Sequence, residues 1–455
     1  MRDKAYVEMM SSSDALIWNI ERDPLLRSTV SSVWILDAPP THARMRQTVE
    51  RMVAELPRLR QRVEPGRPRP RWVAAERFDI ADHYCYFDLG GAADRGDVLA
   101  IAEEWVGQEF DRDRPLWQLG IFAGLTGGRG ALVLKVHHSI ADGIQLMNML
   151  TALADLEPNP APRPVPGDVV AFERRARGVS LRAVQAIGRR GVRRAAAIAR
   201  TPVQSARSAV SIAKLVLPTM TPLSSLMATR SNELRLDVRT IGLARLRAAG
   251  REVGGSLNDA FVALVLDAVH RYHVAHGAAC DEIRVHMPIN VRQLTNERRG
   301  GNQFVPARTV MRLGGSSVQQ RLRRVSVHLA ELRSEPALPH LNTISAAIQR
   351  LGVAISRRII GGMLKGVDVL ASNVPGPPCP VYLAGVQVDE FYAFGPPCGA
   401  ALNVTLFTYD GVVHLGVTTD ASGVSAREHF LVCLDEAIAE MTGTPTREPA
   451  LVATA

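Results

Sequence analysis

The 455-residue chain is poor in cysteine and in aromatic side chains. Its five cysteines (Cys85, Cys280, Cys379, Cys398, Cys433) are scattered and form no CxxC pair, which argues against a zinc site, a redox dithiol and a disulfide framework alike. Such sparse thiols fit a reducing compartment. Aromatic residues make up 5% of the chain, and no basic stretch is interleaved with them. The stacking platforms that single-stranded nucleic acid needs are therefore missing, and no nucleic-acid partner is expected. No apolar run reaches the roughly 18 residues of a membrane span. The most lipid-like stretch, Ala209 to Met220, is short and contains Lys214 and Pro218. The opening MRDKAYVEMMSSSDALIW has charges and no sustained apolar core, so no secretory signal is visible. A cytoplasmic chain that does not span a bilayer is the expectation.

What the chain does have is positive charge, with Lys and Arg exceeding Asp and Glu to give +9, and 46% hydrophobic residues, enough for a substantial core. A basic balance suits anionic surfaces or phosphorylated small molecules. The clearest discontinuity opens with the proline-rich DLEPNPAPRPVPGD and closes with LPTMTPL. Between them the arginines from Arg174 to Arg207 alternate with Val179, Leu181, Val184, Ile187, Val192 and Ile198 at roughly helical spacing, with Glu173 as the only acid. The pattern predicts a basic helical linker over 161–230 between an N-terminal domain, 1–160, and a C-terminal domain, 231–455.

Both flanking halves read as mixed α/β. Helical periodicity marks 97–110, 256–276 and the REHFLVCLDEAIAEMTG segment. Strands are expected at 131–136, 282–291, 380–394 and 412–420. The strongest chemical signal is KVHHSIADG, where a strand ends at Val136, His137 and His138 follow, and Asp142-Gly143 leads into a helix. An imidazole at a strand end is well placed for proton transfer, since its ordinary pKa lies near neutrality. The plain structural reading is a strand end, with Asp142 capping the next helix. HHxxxD also offers metal-ligand types, but no second cluster at ligating spacing accompanies it, so no metal is expected. Ser256 and Asp259 have the spacing of a helix N-cap pair. The amide of Asn258 can donate to a developing oxyanion. Gly143 permits a backbone approach that other residues resist.

Five blocks occur in one order: PLWQLGIF from Pro115, HHSIADG, SLNDAFVALV from Ser256, MPINVR followed by GNQF, and SNVPGPP from Ser372. Together they resemble the bacterial wax ester synthase/diacylglycerol acyltransferase family, within the fold group of chloramphenicol acetyltransferase. The resemblance implies two layered α/β domains of that fold, each a mixed sheet with flanking helices, and a substrate channel between them. It implies an acyl-CoA-dependent O-acyltransferase acting on diacylglycerol or a long-chain alcohol, with acyl-CoA as a substrate and no cofactor. His138 would be the general base, with His137, Asp142 and Gly143 completing the motif. Asn258 and Asp259 would stabilise the oxyanion or position substrate. The fold group also implies an Asp142–Arg292 ion pair. Pro115, Leu116, Trp117, Gly301, Asn302 and Gln303 would support the channel, Trp117 by packing. YAFGPPCG from Tyr392 stands where relatives in the fold group carry a DFGWG-like element, and lacks its Asp and Trp. The Arg174–Arg207 stretch is either an interdomain strap or a contact with an anionic membrane or lipid-droplet surface. Alternatives within the resemblance are transfer to another lipid or polyketide alcohol, a peptide condensation domain, and a catalytically silent lipid- or CoA-binding paralogue.

Overall fold

The computed structural model describes residues 7–66, 69–140, 143–160, 221–290, 304–315, 317–335 and 353–443. The strands there are, in chain order, β1 (Val7–Met9), β2 (Thr29–Leu36), β3 (Gln61–Glu64), β4 (Arg71–Ala74), β5 (Tyr84–Ala93), β6 (Trp117–Leu125), β7 (Gly130–His137) and β8 (Ala154–Asp155). They continue with β9 (Leu234–Gly242), β10 (Glu282–Asn290), β11 (Phe304–Arg312), β12 (Val369–Pro375), β13 (Tyr382–Leu383), β14 (Val386–Phe394), β15 (Leu402–Tyr409) and β16 (Val412–Asp420). They form a seven-stranded sheet, β5-β6-β7-β2-β14-β13-β8, a six-stranded sheet, β11-β10-β12-β15-β16-β9, and a small sheet, β1-β4-β3.

β7 is GALVLKVH and buried along its whole length. A strand covered on both faces reads as a continuous apolar run rather than an alternation. It sits between β6 and β2, with Val136 opposite Trp117 and His137 opposite Thr29. Of its side chains, Leu132, Leu134 and Val136 join one core, and Ala131 and Val133 join another beneath the helix Arg95–Gly107. The six-stranded sheet buries one face against the helices Leu257–Ala275 and Arg427–Thr442, whose Phe261, Val265, Phe430 and Leu434 lie in its core.

The helices expected at 97–110, 256–276 and in REHFLVCLDEAIAEMTG are present, as are strands within 131–136, 282–290 and 412–420, with one correction at 380–394. The stretch 380–394 is a hairpin rather than a single strand, because Ala384 and Gly385 turn the chain at φ 51° and 91°. Positive φ at both central positions is what a tight hairpin turn requires. β13 and β14 follow residue 231 in the chain but complete the first sheet, β14 pairing with β2 from Phe394↔Ser31 to Val388↔Leu36. The arginine-rich stretch Arg174–Arg207 lies outside the described residues.

Two contacts fix one half against the other. Glu103, on the helix Arg95–Gly107, accepts the Leu236 N–H of β9 at 2.7 Å and lies 3.7 Å from both Arg235 and Arg427. Gly416 of β16 passes so close to β14 that an added Cβ would meet the Ala393 carbonyl oxygen at 2.1 Å.

Candidate active site

The HHSIADG segment begins where β7 runs out. The His137 N–H still donates to the Leu116 carbonyl at 3.0 Å, the His138 N–H to the Ser28 carbonyl at 2.8 Å, and the Ile140 N–H closes a turn onto the His137 carbonyl at 2.9 Å. PLW thus supplies the acceptor on one side of the histidines, and the start of β2 supplies it on the other.

The two imidazoles have different surroundings. The His137 side chain is 1% exposed, in T-shaped contact with Trp18 and Phe110 at 5.6 and 6.2 Å between ring centroids. Its Nδ1 lies 3.1 Å from the Ser139 N–H and 2.7 Å from Ser139 Oγ. Its Nε2 is hydrogen-bonded to Glu21 Oε2. An amide N–H can only donate, so Nδ1 is the acceptor and Nε2 carries the proton toward the carboxylate. Both nitrogens of His137 are occupied. His138, by contrast, is half-buried.

Glu21 is the functional neighbour that the sequence reading missed. Burial pushes its carboxyl upward, but the His137 hydrogen bond, the Ser28 N–H and Arg112 outweigh burial and hold it below the ordinary value. Arg112 stands 3.8 Å from Glu21 and 4.3 Å over the Trp18 ring. On the same face of β7, Lys135 donates to the Gln108 carbonyl at 2.7 Å and lies 4.4 Å from the Phe110 centroid. Burial, aided by Arg27, brings its ammonium down to about 8. Glu21 is 116 residues from His137 in the chain, and no local pattern connects them.

The other expected residues divide. Asp142, Arg292, Gly301, Asn302 and Gln303 lie outside the described residues, so the Asp142–Arg292 pair does too; Gly143 opens the helix Gly143–Leu153. Trp117 is fully buried, donates Nε1–H to the Leu59 carbonyl at 2.9 Å and stacks on His83 at 4.9 Å, a packing role. Pro115 adjoins it, its carbonyl accepting the Trp117 N–H at 3.1 Å. Asn258 Oδ1 accepts from Asn373 Nδ2 at 3.3 Å, joining the SLND and SNVPGPP blocks. Asp259 is a capping and ion-pairing group: one oxygen accepts the Ser256 N–H at 2.9 Å and the Ser326 hydroxyl at 3.2 Å, the other Arg333 at 2.7 Å. Gly376 in SNVPGPP is required by space, since a Cβ there would lie 2.3 Å from the Thr408 carbonyl oxygen. The divergent YAFGPPCG block also reaches the site: Cys398 Sγ lies 3.7 Å from the Arg27 carbonyl, and burial raises its thiol to about 12, which makes it a poor nucleophile.

Residues 10–261 match the wax ester synthase/diacylglycerol acyltransferase catalytic domain, and residues 300–442 match the C-terminal domain of the same family. A Mycobacterium tuberculosis protein named as a diacylglycerol O-acyltransferase is 31% identical over 445 residues, covering 94% of this chain and 90% of the relative. A second from that organism, similarly named, is 29% identical over 410 residues, 83% of this chain and 84% of its own. Among solved structures, the wax ester synthase/diacylglycerol acyltransferase from Marinobacter aquaeolei VT8 matches with a TM-score of 0.62 at 18% identity, covering 95% of this chain and 98% of that one. The first condensation domain of the calcium-dependent antibiotic synthetase matches with a TM-score of 0.57 at 18% identity, covering 96% and 98%. These two likenesses establish the fold. By the match of both its domains, the chain belongs to the wax ester synthase/diacylglycerol acyltransferase family.

Proposed function

We propose that this acyltransferase moves a long-chain acyl group from acyl-CoA to the free hydroxyl of diacylglycerol, and to a fatty alcohol as a second acceptor, with His138 as the general base. The acceptor class is supported by the names of the M. tuberculosis relatives. The observation that carries the assignment of the base is burial. The His137 side chain is 1% exposed and held between Glu21 and Ser139, whereas His138 on the same turn is only half-buried.

His138 takes the hydroxyl proton as the acceptor oxygen attacks the thioester carbonyl. The tetrahedral oxyanion collapses, the carbon–sulfur bond breaks, and the departing CoA thiolate takes the proton back from the imidazolium. Ester and free CoA are the products, and His138 returns to its neutral form. No acyl-enzyme is required. Ser139, the neighbouring hydroxyl, is 5% exposed and lies 2.7 Å from His137 Nδ1. General-base assistance of this kind contributes about 10²–10⁴-fold, and donors to the oxyanion add a comparable factor. The amide of Asn258 is our candidate for such a donor.

No described helix is long and apolar enough to cross a membrane. The Arg174–Arg207 stretch is proposed to hold the protein on an anionic membrane or lipid-droplet surface, where diacylglycerol resides. Flotation with anionic but not neutral liposomes is expected, and indifference to lipid charge would remove the idea. The reaction itself is tested with radiolabelled acyl-CoA against diacylglycerol, monoacylglycerol and hexadecanol. Triacylglycerol is the expected main product. No product with any acceptor would leave a silent lipid- or CoA-binding protein.

A further inference from the structure

We propose that Glu21 is a positioning residue for the acyl transfer, a two-oxygen bracket that sets both histidines of the motif from outside it. The proposal rests on His138 being the base, and goes beyond that reading by naming what fixes the ring's backbone.

Each carboxylate oxygen receives one donor. Oε2 takes the Nε2–H of His137. Oε1 takes the N–H of Ser28 at 3.1 Å, and the carbonyl of that same residue receives the N–H of His138 at 2.8 Å. Glu21 therefore holds His137 through its ring and His138 through the Ser28 residue. The bracket is rigid because its other side is filled. Ser139 N–H meets His137 Nδ1, Trp18 and Phe110 close on the ring, and Arg112 lies over Trp18 beside the carboxylate. Glu21 is itself 10% exposed, so neither donor has water as a ready substitute.

Only a carboxylate satisfies this pattern. A glutamine has a single acceptor oxygen, and its amide NH₂ must face either Ser28 N–H or His137 Nε2–H. Facing Ser28 sets donor against donor and frees the strand that holds His138. Facing His137 forces the ring to the Nδ1–H tautomer, which then opposes the Ser139 N–H. An aspartate is shorter by one methylene and reaches at most one donor. Isosteric replacement is thus expected to behave almost like truncation, which distinguishes a bracket from a space-filling side chain.

The test uses the full-length enzyme, with Glu21→Gln and Glu21→Ala compared by steady-state kinetics and by ¹⁵N-histidine NMR. In both variants kcat is expected to fall about 10- to 100-fold, the scale of a misplaced catalytic group, with the KM values for acyl-CoA and acceptor within about twofold of wild type. In the wild-type spectrum near neutral pH, His137, assigned with His137→Gln, is expected to have a bare Nδ1 and a protonated Nε2. Wild-type kcat in Glu21→Gln, or a loss carried by KM, overturns the proposal. So does a doubly protonated or Nδ1–H His137 in the wild type, which decides the matter even if the variants fold poorly. His138→Ala, assayed alongside, separates the two claims. If it stays active, the reading of His138 as base fails. If it is inactive while Glu21→Gln is fully active, only the bracket fails.

Discussion

His137 and His138 are adjacent in the chain, share one turn and have different chemistry, because a strand end turns consecutive side chains in different directions. HHSIADG stood out in the sequence; the different surroundings of its two histidines did not, since Glu21 and Ser28 come from a distant segment. Replacing His137 with Ala removes a donor from a carboxylate that stays buried, so a loss of about 1–3 kcal/mol is expected in chemical denaturation. Activity per folded molecule should drop less than in His138→Ala. Acid sensitivity follows from the same carboxylate. Because Glu21 titrates below its ordinary value in the folded protein, its stabilisation is complete above the ordinary carboxylate range and is lost as pH falls through the depressed value. Glu21→Gln should flatten that part of the Tm-against-pH curve. Lys135 has a consequence of the same sign at alkaline pH. Its folded value of about 8 lies below the ordinary 10.5, so the unfolded chain binds the extra proton between them, and this group makes stability rise across that window. A Lys135→Met variant should lack that rise.

At the scale of elements, periodicity and caps located three helices and the strands β7, β10 and β16, and left strands such as β2, β6 and β15 unnamed. The helix Leu257–Ala275 starts where Ser256 and Asp259 predicted, with each side chain accepting the other's backbone N–H. Ser256→Ala is expected to cost about 1 kcal/mol, the ordinary value of an N-cap. Asp259→Ala should cost more, because Ser326 and Arg333 lose their partner as well, and the loss should be seen in thermal unfolding rather than in kcat. The expected strand at 380–394 hid its turn because Ala-Gly is a weak turn signature; Ala384 takes positive φ through the pairing of β13 with β14 and β8, a tertiary constraint. Within SNVPGPP, Ser372–Pro375 end β12 in parallel pairing with β15, and the 2.3 Å approach at Gly376 also comes from β15.

At the scale of the molecule, two sheets with one hairpin passed between them explain why neither half can be understood alone. Sequence patterns identified two mixed α/β halves; they contain nothing that pairs Phe394 with Ser31, a partnership formed across the chain by β14 entering beside β2. Where β14 then lies on β16, Gly416 is the point of closest approach, and Gly416→Ala should destabilise by about 1–3 kcal/mol through overpacking, read as a lowered Tm. The block that follows β14 also reaches the segment before β2, where Cys398 Sγ lies 3.7 Å from the Arg27 carbonyl, next to the Ser28 that holds His138. The most direct test of the catalytic account is a single-turnover assay of CoA release by His138→Ala, at saturating acyl-CoA and diacylglycerol, with folding verified by circular dichroism. The account predicts a folded protein whose release rate has fallen by about 10²–10⁴-fold. A folded His138→Ala that releases CoA at the wild-type rate would contradict it.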